Sequence, residues 1–516
     1  MRNIFRISLF VAAFVGILQA LCALNVLPIS ELGMTILRWL TLAFVTIAAI
    51  IEKKSLTVWI LLSLFIGAEI GLDNHELAKG LEVFSKIFLK MIKTLVAPLL
   101  FATLVSGIAG NSDSKQLGRL GVKSFTYFIA VTSIALVFGL VAINITKAGY
   151  DSHISKEKAD KLAPKTNIKK SWKDLAAPLI VDRTEKIIGA YELAPDSLKN
   201  KVIKSGIDSI QVSIEQAKRT ADLPPKQEFK DFIVNIFPEN IAKAIAENQV
   251  LQIVIFSIFF GLGINRVEEQ HKRRMVNFCE SLAQVMFKFT NLVMYLAPLG
   301  VLGAMASAVA AMGIDVFIPM AKLIGTLYFA LFMFIVIVFG SICWLMKINI
   351  KSFWAVAKNP VSIAFSTASS EAALGPAMIA LKKYGIPEKI VSFVLPTGMS
   401  FNLDGTTLYL SCAAVFVAQA TNNPIATSMT LQLSLLLTLL ISSKGVAGVA
   451  RASLVILMGT IGQFGIPEWP IYLILAVDVL MDMVRTGTNM LGNCLATVVI
   501  AKWEGEFEEP KTEDIS

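Results

Sequence analysis

Long apolar runs, each closed by a short polar or basic turn, recur along most of this chain. Apolar residues dominate 34–51, 55–72, 83–110, 118–146, 249–265, 276–312 and 316–347. A helix that is apolar all round is buried or crosses a membrane, and crossing takes about 20 such residues. The pattern therefore predicts a set of spanning helices, with Pro98 and Pro298 inside two of them. The N-terminal MRNIFRISLFVAAFVGILQALCAL has the basic start and apolar body of a secretory signal, but its apolar stretch is long and a second follows directly. Residues 1–54 are read as a transmembrane hairpin, followed by the remaining spans over 55–505 and a short tail at 506–516.

Two departures from that pattern shape the expected fold. The stretch 147–231 is Lys-rich and mixes polar with apolar positions, as in GIDSIQVSIEQAKRTADL; it predicts an extramembrane insertion carrying amphipathic helices. A further amphipathic lead-in, DFIVNIFPENIAKAIAEN, precedes the run at 249–265. In the last third, AFSTASSEAALGPAM within 356–384 and SSKGVAGVARAS within 427–465 are too small and polar for plain lipid-facing spans. Each precedes a long helix, at about 387–417 and 469–502. Irregular backbone at membrane depth is tolerated only where protein or a water-filled cavity covers it. Paired interruptions at matching places in two halves point to a transporter binding site and to inverted repeats. The segments 356–384 and 427–465 are accordingly read as re-entrant hairpins.

Composition agrees. Of 516 residues, 55% are hydrophobic and only 16% charged, with a mean hydropathy of +0.67, whereas soluble domains carry about 25% charged residues. The net charge of +9 does not mark a nucleic-acid binder, because the basic residues sit in turns with no aromatic interleaving. They set orientation instead. With the N-terminus inside, the turns at 52–54, 114–123, 265–274 and 347–351 fall on the cytoplasmic side; those at 26–33 and 73–82, and the insertion, fall outside. Both termini are then cytoplasmic, in a multi-pass cell-membrane protein. Cys22, Cys279, Cys343, Cys412 and Cys494 are scattered among apolar segments and read as buried small hydrophobes, not as a disulfide framework or metal site.

The strongest chemical signal is the final helix. Asp478, Asp482, Arg485, Asn489 and Asn493 are spaced by four, three, four and four, which puts them on one stripe. Ionisable residues in membrane segments are costly and mark substrate or ion paths. Arg485 offers a planar fork for a carboxylate, Asp482 an acceptor for an ammonium group, and Thr486 a hydroxyl. The alternative is an Asp482–Arg485 pair at i, i+3 that neutralises itself as structural glue. A second signal is FNLDGTTLYL, residues 401–410, where Asn402, Asp404 and Gly405 interrupt an apolar helix. Asn, Asp and Gly favour local unwinding, which frees main-chain carbonyls; with one carboxylate these make a cation site.

FNLDGTTLY resembles the Asn-Met/Leu-Asp-Gly-Thr motif of the dicarboxylate/amino acid:cation symporter family, the glutamate transporter superfamily. TASSEAAL resembles its first hairpin, SSKGVAGV its second, and DVLMDMVRTGTNMLGNCLATVVIAKWE its last helix. The resemblance implies an all-α membrane fold with eight core spans, two re-entrant hairpins and inverted repeats. It also implies a homotrimer in which a transport domain moves across the membrane like an elevator. By position, it places Ser370, Thr406, Val449, Asp482, Arg485, Thr486 and Asn489 on the substrate. Gly398, Asn402, Asn489 and Asn493 resemble one cation site; Asn402 and Asp404 with Thr132 and Ser133 a deeper one; Ser400 with Ser443 and Val446 a third. Sodium-coupled members often carry Asp where this chain has Asn493, which leaves the co-transported cation as Na⁺ or H⁺.

The expected function is symport of glutamate or aspartate with Na⁺ or H⁺. The expected partners are an acidic small molecule, cations and the lipid bilayer, with no nucleic acid and no resident cofactor. C4-dicarboxylate symport and an anion-conducting channel or sensor stand as alternatives. An enzyme is not expected: His75, His153 and His271 are read as loop residues with no nucleophile or metal pattern around them.

Overall fold

The computed structural model describes most of residues 30–109, 115–151, 237–444, 452–467 and 470–507, with some positions between 7 and 16. These belong to one unit made of 1–154 and 236–516. Beyond Asp151 the expected insertion lies outside the described residues, as do the tip of the second expected hairpin and the tail after Phe507.

Every element among the described residues is helical. In chain order they are α1 (Glu31–Ile51), α2 (Leu56–Asp73), α3 (His75–Ala109), α4 (Lys115–Thr146), α5 (Ile241–Ala246), α6 (Val250–Ile264), α7 (Glu269–Met294), α8 (Ala297–Met312) and α9 (Phe317–Phe334). A π-helical turn, Ile335–Phe339, joins α9 to α10 (Gly340–Leu345). Then follow α11 (Ile350–Thr367), α12 (Ser370–Lys383), α13 (Glu388–Phe401), α14 (Asp404–Ala420), α15 (Met429–Ser442), α16 (Ala452–Gln463) and α17 (Pro470–Glu504). Six helical stretches among the described residues are long and apolar enough to cross a membrane.

Several boundaries differ from the sequence reading, each for a local reason. The expected turn at 73–82 shrinks to Asn74, whose side chain accepts from the Leu77 N–H at 2.9 Å and so starts α3 at His75. His75 and His271 therefore lie in helices, not loops. Pro298 does not break a helix midway: it sits in the first turn of α8, after a break at Tyr295–Leu296, where its missing N–H costs nothing. Pro98 lies inside a continuous α3. The apolar run at 431–441, inside the second expected hairpin, belongs to a helix of 14 residues, too short to span.

The helices pack in two groups. In the first, α8 lies on α2 and α3, and α3 also receives α6 and α7. Small residues permit the close approach: a Cβ added to Gly67 would stand 2.5 Å from the Leu302 carbonyl oxygen, and one at Gly71 2.7 Å from that of Ala306. Helix α1 is clamped to this group by the Arg38–Glu69 ion pair at 2.9 Å and by Trp39 donating to Asp73 at 2.6 Å. In the second group, α14 is held by α4 and α17, while α9, α11, α12 and α13 pack on α17. The apolar window of the α13–α14 stretch is 100% buried, against 28% for α1. Helix α14 is thus surrounded by protein on all sides, and its polar residues are held by protein groups, not lipid.

The close α2–α8 contact makes a direct prediction. Gly67→Val should lower the unfolding temperature of the purified protein, at a cost of about 1–3 kcal/mol from overpacking. Gly263→Ala on α6, where an added Cβ meets nothing within 4 Å, should not.

Candidate functional site

The chain unwinds for two residues between α13 and α14. Asn402 and Leu403 have φ/ψ of −115°/69° and −102°/63°. What holds the break open is a side chain from α17. The Asn489 amide oxygen accepts from the N–H groups of Gly405 at 2.8 Å and Thr406 at 3.2 Å, and its amide nitrogen donates to the Thr406 hydroxyl at 2.9 Å. Those two N–H groups would otherwise close helical bonds onto the carbonyls of Phe401 and Asn402. Asn489 thus caps α14 from another helix and releases both carbonyls. Only glycine fits at 405, because a Cβ there would collide with the Arg485 carbonyl.

Next to the break, Asn402 donates to Asp404 at 3.1 Å and to the Asn493 amide oxygen at 3.2 Å. Gly398, on the last turn of α13, lies so close to Asn493 that a Cβ would overlap that oxygen. Gly398, Asn402, Asn489 and Asn493 are therefore brought together. Asn402, Asp404 and Asn493 are all 0% exposed. Among the described residues, Asn402 Oδ1, Asp404 Oδ1 and Asn493 Nδ2 have no hydrogen-bond partner.

One turn further toward the start of α17 is a charged cluster. Arg485 donates through Nε to Asp482 at 2.8 Å and through Nη1 to Asp478 at 3.0 Å. Its guanidinium carbon stands 4.3 Å from the centroid of the Tyr409 ring, whose hydroxyl donates to Asp478 at 3.3 Å. Thr486 donates to Asp482 at 3.1 Å. The i, i+3 pair set against a ligand role is therefore present, but it does not satisfy the guanidinium: Arg485 is 1% exposed and its Nη2 has no partner among the described residues. Ser370, in the first turn of α12, is equally buried, and its hydroxyl also has no partner there. Buried polar atoms are nearly always hydrogen-bonded, so the open ones at the α13–α14 break, on α14, on α17 and at the start of α12 make this the candidate site.

The third feature is a lysine. Lys444, directly after α15, sends its ammonium to the Thr132 hydroxyl on α4 at 2.6 Å and to the Phe401 carbonyl at 3.0 Å. Thr132 in turn donates to the Phe128 carbonyl, so its lone pair faces the lysine. Ser133, one residue on and half-buried, makes none of these contacts. Ser443 is buried, its hydroxyl bound to the Leu440 carbonyl, and Ser400 lies half-buried on α13. Val446 and Val449 lie outside the described residues.

Comparison with known proteins decides what this arrangement belongs to. Residues 56–503 match the model of the sodium:dicarboxylate symporter family. The chain belongs to that family. It is 35% identical to a proton/sodium-glutamate symport protein of Bacillus caldotenax, over 88% of this chain and 94% of the relative. It is 36% identical to a proton/glutamate-aspartate symporter of Escherichia coli (strain K12), over 82% and 85%. It is also 34% identical to a C4-dicarboxylate transport protein of Pseudomonas syringae pv. tomato, over 89% and 88%. Members of the sodium:dicarboxylate symporter family are transporters, not enzymes, and symport is the function this chain carries.

The sequence reading had already singled out several of the residues that meet here. It named the α17 stripe, Thr406, and the Asn402–Asp404 break. It did not name Tyr409 or Lys444. Tyr409 sits three residues after Thr406 and reads in sequence as one more apolar helix residue. Lys444 did carry a signal: a cation inside the Ser- and Gly-rich SSKGVAG, where charge is otherwise avoided. Gly375 lies within a continuous α12, where an added Cβ would meet nothing within 4 Å.

The cap on α14 is open to test. Asn489→Ala strands two buried N–H donors, at about 1–3 kcal/mol for each. Thr406→Ala removes a single side-chain bond. Thermal unfolding should rank Asn489→Ala well below Thr406→Ala, and equal losses would remove the capping role.

Proposed function

We propose that this protein takes up an acidic amino acid, glutamate or aspartate, together with Na⁺ or H⁺. The observation that carries this reading is the pairing of an open guanidinium edge with a neighbouring carboxylate, both buried, on one face of α17. An acidic amino acid brings a side-chain carboxylate and an ammonium group. The carboxylate would take Arg485, adding Nη2 and displacing one of the aspartates. The ammonium would take Asp482 as it is released. These two ligand charges replace the internal partners, since breaking a buried ion pair without replacement costs about 3–5 kcal/mol; the α-carboxylate is the remaining charge, to be met by the polar lining and the co-transported cation.

The other roles follow from position. Ser370 at the start of α12, Thr406, Thr486 and Asn489 would complete the polar lining, with Val449 from the stretch between α15 and α16. Gly398, Asn402, Asn489 and Asn493 would form a cation site, and Ser400, Ser443 and Val446 another. In this reading α11–α12 and α15–α16 are re-entrant hairpins. They sit in a fold of eight core spans with inverted repeats, α1 and the residues before it being an extra hairpin. The protein works as a homotrimer in the cell membrane with both termini cytoplasmic. The α4, α9–α17 group is the part that would move, elevator-like, against α2, α3 and α6–α8.

C4-dicarboxylate symport is the second reading, supported by the relative from Pseudomonas syringae. Asp482 weighs against it. A ligand with two carboxylates and no amine would leave that aspartate facing like charge once Arg485 turned to the ligand.

Uptake into proteoliposomes under imposed Na⁺ or pH gradients tests the proposal. Wild type should concentrate labelled glutamate, and Arg485→Ala should abolish uptake while the protein remains folded. Unchanged uptake by that variant would remove Arg485 from the site. Asp482→Ser should weaken glutamate by about 2–5 kcal/mol and succinate far less. The reverse ranking would favour the dicarboxylate reading.

A further inference from the structure

The deep cation site expected from Asn402, Asp404, Thr132 and Ser133 is not a set of oxygens waiting for an ion. One of its oxygens, the Thr132 hydroxyl, already holds a cation, and that cation belongs to the chain. The Lys444 ammonium receives the Thr132 hydroxyl lone pair at 2.6 Å and the Phe401 carbonyl at 3.0 Å. The Phe401 carbonyl that it binds lies three residues before Asp404, at the other end of the break. Three separate elements converge on this point: α4 through Thr132, the end of α13 through Phe401, and the end of α15 through Lys444.

The Phe401 carbonyl is available because of the break. Its helical partner, the Gly405 N–H, is taken by Asn489 at 2.8 Å, so the carbonyl is a freed acceptor of the kind that coordinates Na⁺ in broken transporter helices. Thr132 contributes a hydroxyl whose proton is already committed to Phe128, leaving an acceptor. A hydroxyl, an unwound carbonyl and a buried carboxylate suit a hard cation. The donor chemistry therefore fits a metal ion, but the space does not admit one beside the ammonium. An ion bound to the same two oxygens would stand within contact distance of Nζ, with like charges repelling in a buried setting.

We propose that Lys444 is a tethered cation that fills the deep seat beside Asp404, so that this symporter does not take a sodium ion there. The inference rests on the symporter reading only for its substrate readout. Arriving with α15, the lysine locks that helix to α4 and to the break. The tie therefore supplies internally the link between hairpin and broken helix that a bound ion would otherwise make.

The test uses the full-length protein in detergent, comparing NaCl with choline chloride at equal ionic strength. Without substrate, thermal unfolding of wild type should show no Na⁺ increment arising at this seat. Lys444→Met and Lys444→Gln should gain an Na⁺-dependent stabilisation that is lost again when Asp404→Asn is added. Lys444→Arg, which keeps the charge, should retain the wild-type profile. With labelled glutamate, the Met and Gln variants should become Na⁺-dependent by roughly tenfold relative to wild type. Two outcomes would overturn the proposal. One is a Na⁺ response in the Met and Gln variants equal to that of wild type. The other is folded variants that bind glutamate in neither salt, since sodium should then stand in for the lost ammonium. If wild type itself binds no glutamate, the substrate assignment fails, while the substrate-free unfolding series still decides the role of Lys444.

Discussion

Keeping two N–H groups of α14 away from their own helical carbonyls is the constraint on which the site depends. Asn489 does this from α17 with one amide oxygen. If the two N–H groups closed onto Phe401 and Asn402, α13 and α14 would merge into one continuous helix. Lys444 would lose its carbonyl acceptor, and Asn402 would turn away from both Asp404 and Asn493. Nothing in hydrocarbon replaces such contacts, which is why broken helices persist only inside protein. The full burial of α14 is thus a requirement of its polar break and not a by-product of packing.

The charged cluster on α17 obeys the same economy. Arg485, Asp478 and Asp482 sit in the interior with less than 10% exposure each, where an isolated charge is far costlier than a paired one. Two aspartates share one arginine, and Tyr409 supports both by covering the guanidinium and donating to Asp478. The cluster is connected but incomplete, because Arg485 Nη2 is left over. A purely structural salt bridge gains nothing from an open edge in a buried setting. An edge left open beside a carboxylate that can be released is what an exchange of partners requires.

How much of this was legible in the sequence follows from where each interaction runs. The α17 stripe was readable because its members are three and four residues apart on one helix, and helical periodicity alone aligns them. The break at Asn402–Leu403 was readable because poor helix formers cluster there. The same reasoning misplaced the turn before α3, where a single Asn cap at position 74 outweighed the polar look of 75–82. The interruption expected at Pro298 falls just before it, at Tyr295–Leu296, and the proline opens α8. Asn489 was singled out as a ligand for substrate and cation, but its action as a cap on another helix was not visible. That function joins residues 83 and 84 positions apart, and no local pattern encodes such a contact.

Lys444 shows the limit most clearly, and also why it matters. By resemblance the segment around it supplied backbone to a cation site, so Ser443 and Val446 drew attention and the lysine between them did not. A lysine is long enough to act several ångströms from its own backbone, so its sequence position says little about where its charge rests. Only the geometry puts the ammonium against Thr132, 312 positions earlier. A fixed charge carried by the chain and a mobile charge carried by solvent are equivalent to Asp404 electrostatically, but not to a transport cycle. A mobile one would leave with the substrate and dissipate an ion gradient, whereas a tethered one would stay with α15. The choice of side chain at this one position therefore bears on which gradient drives uptake, while the fold and the substrate pocket around it are left as they are.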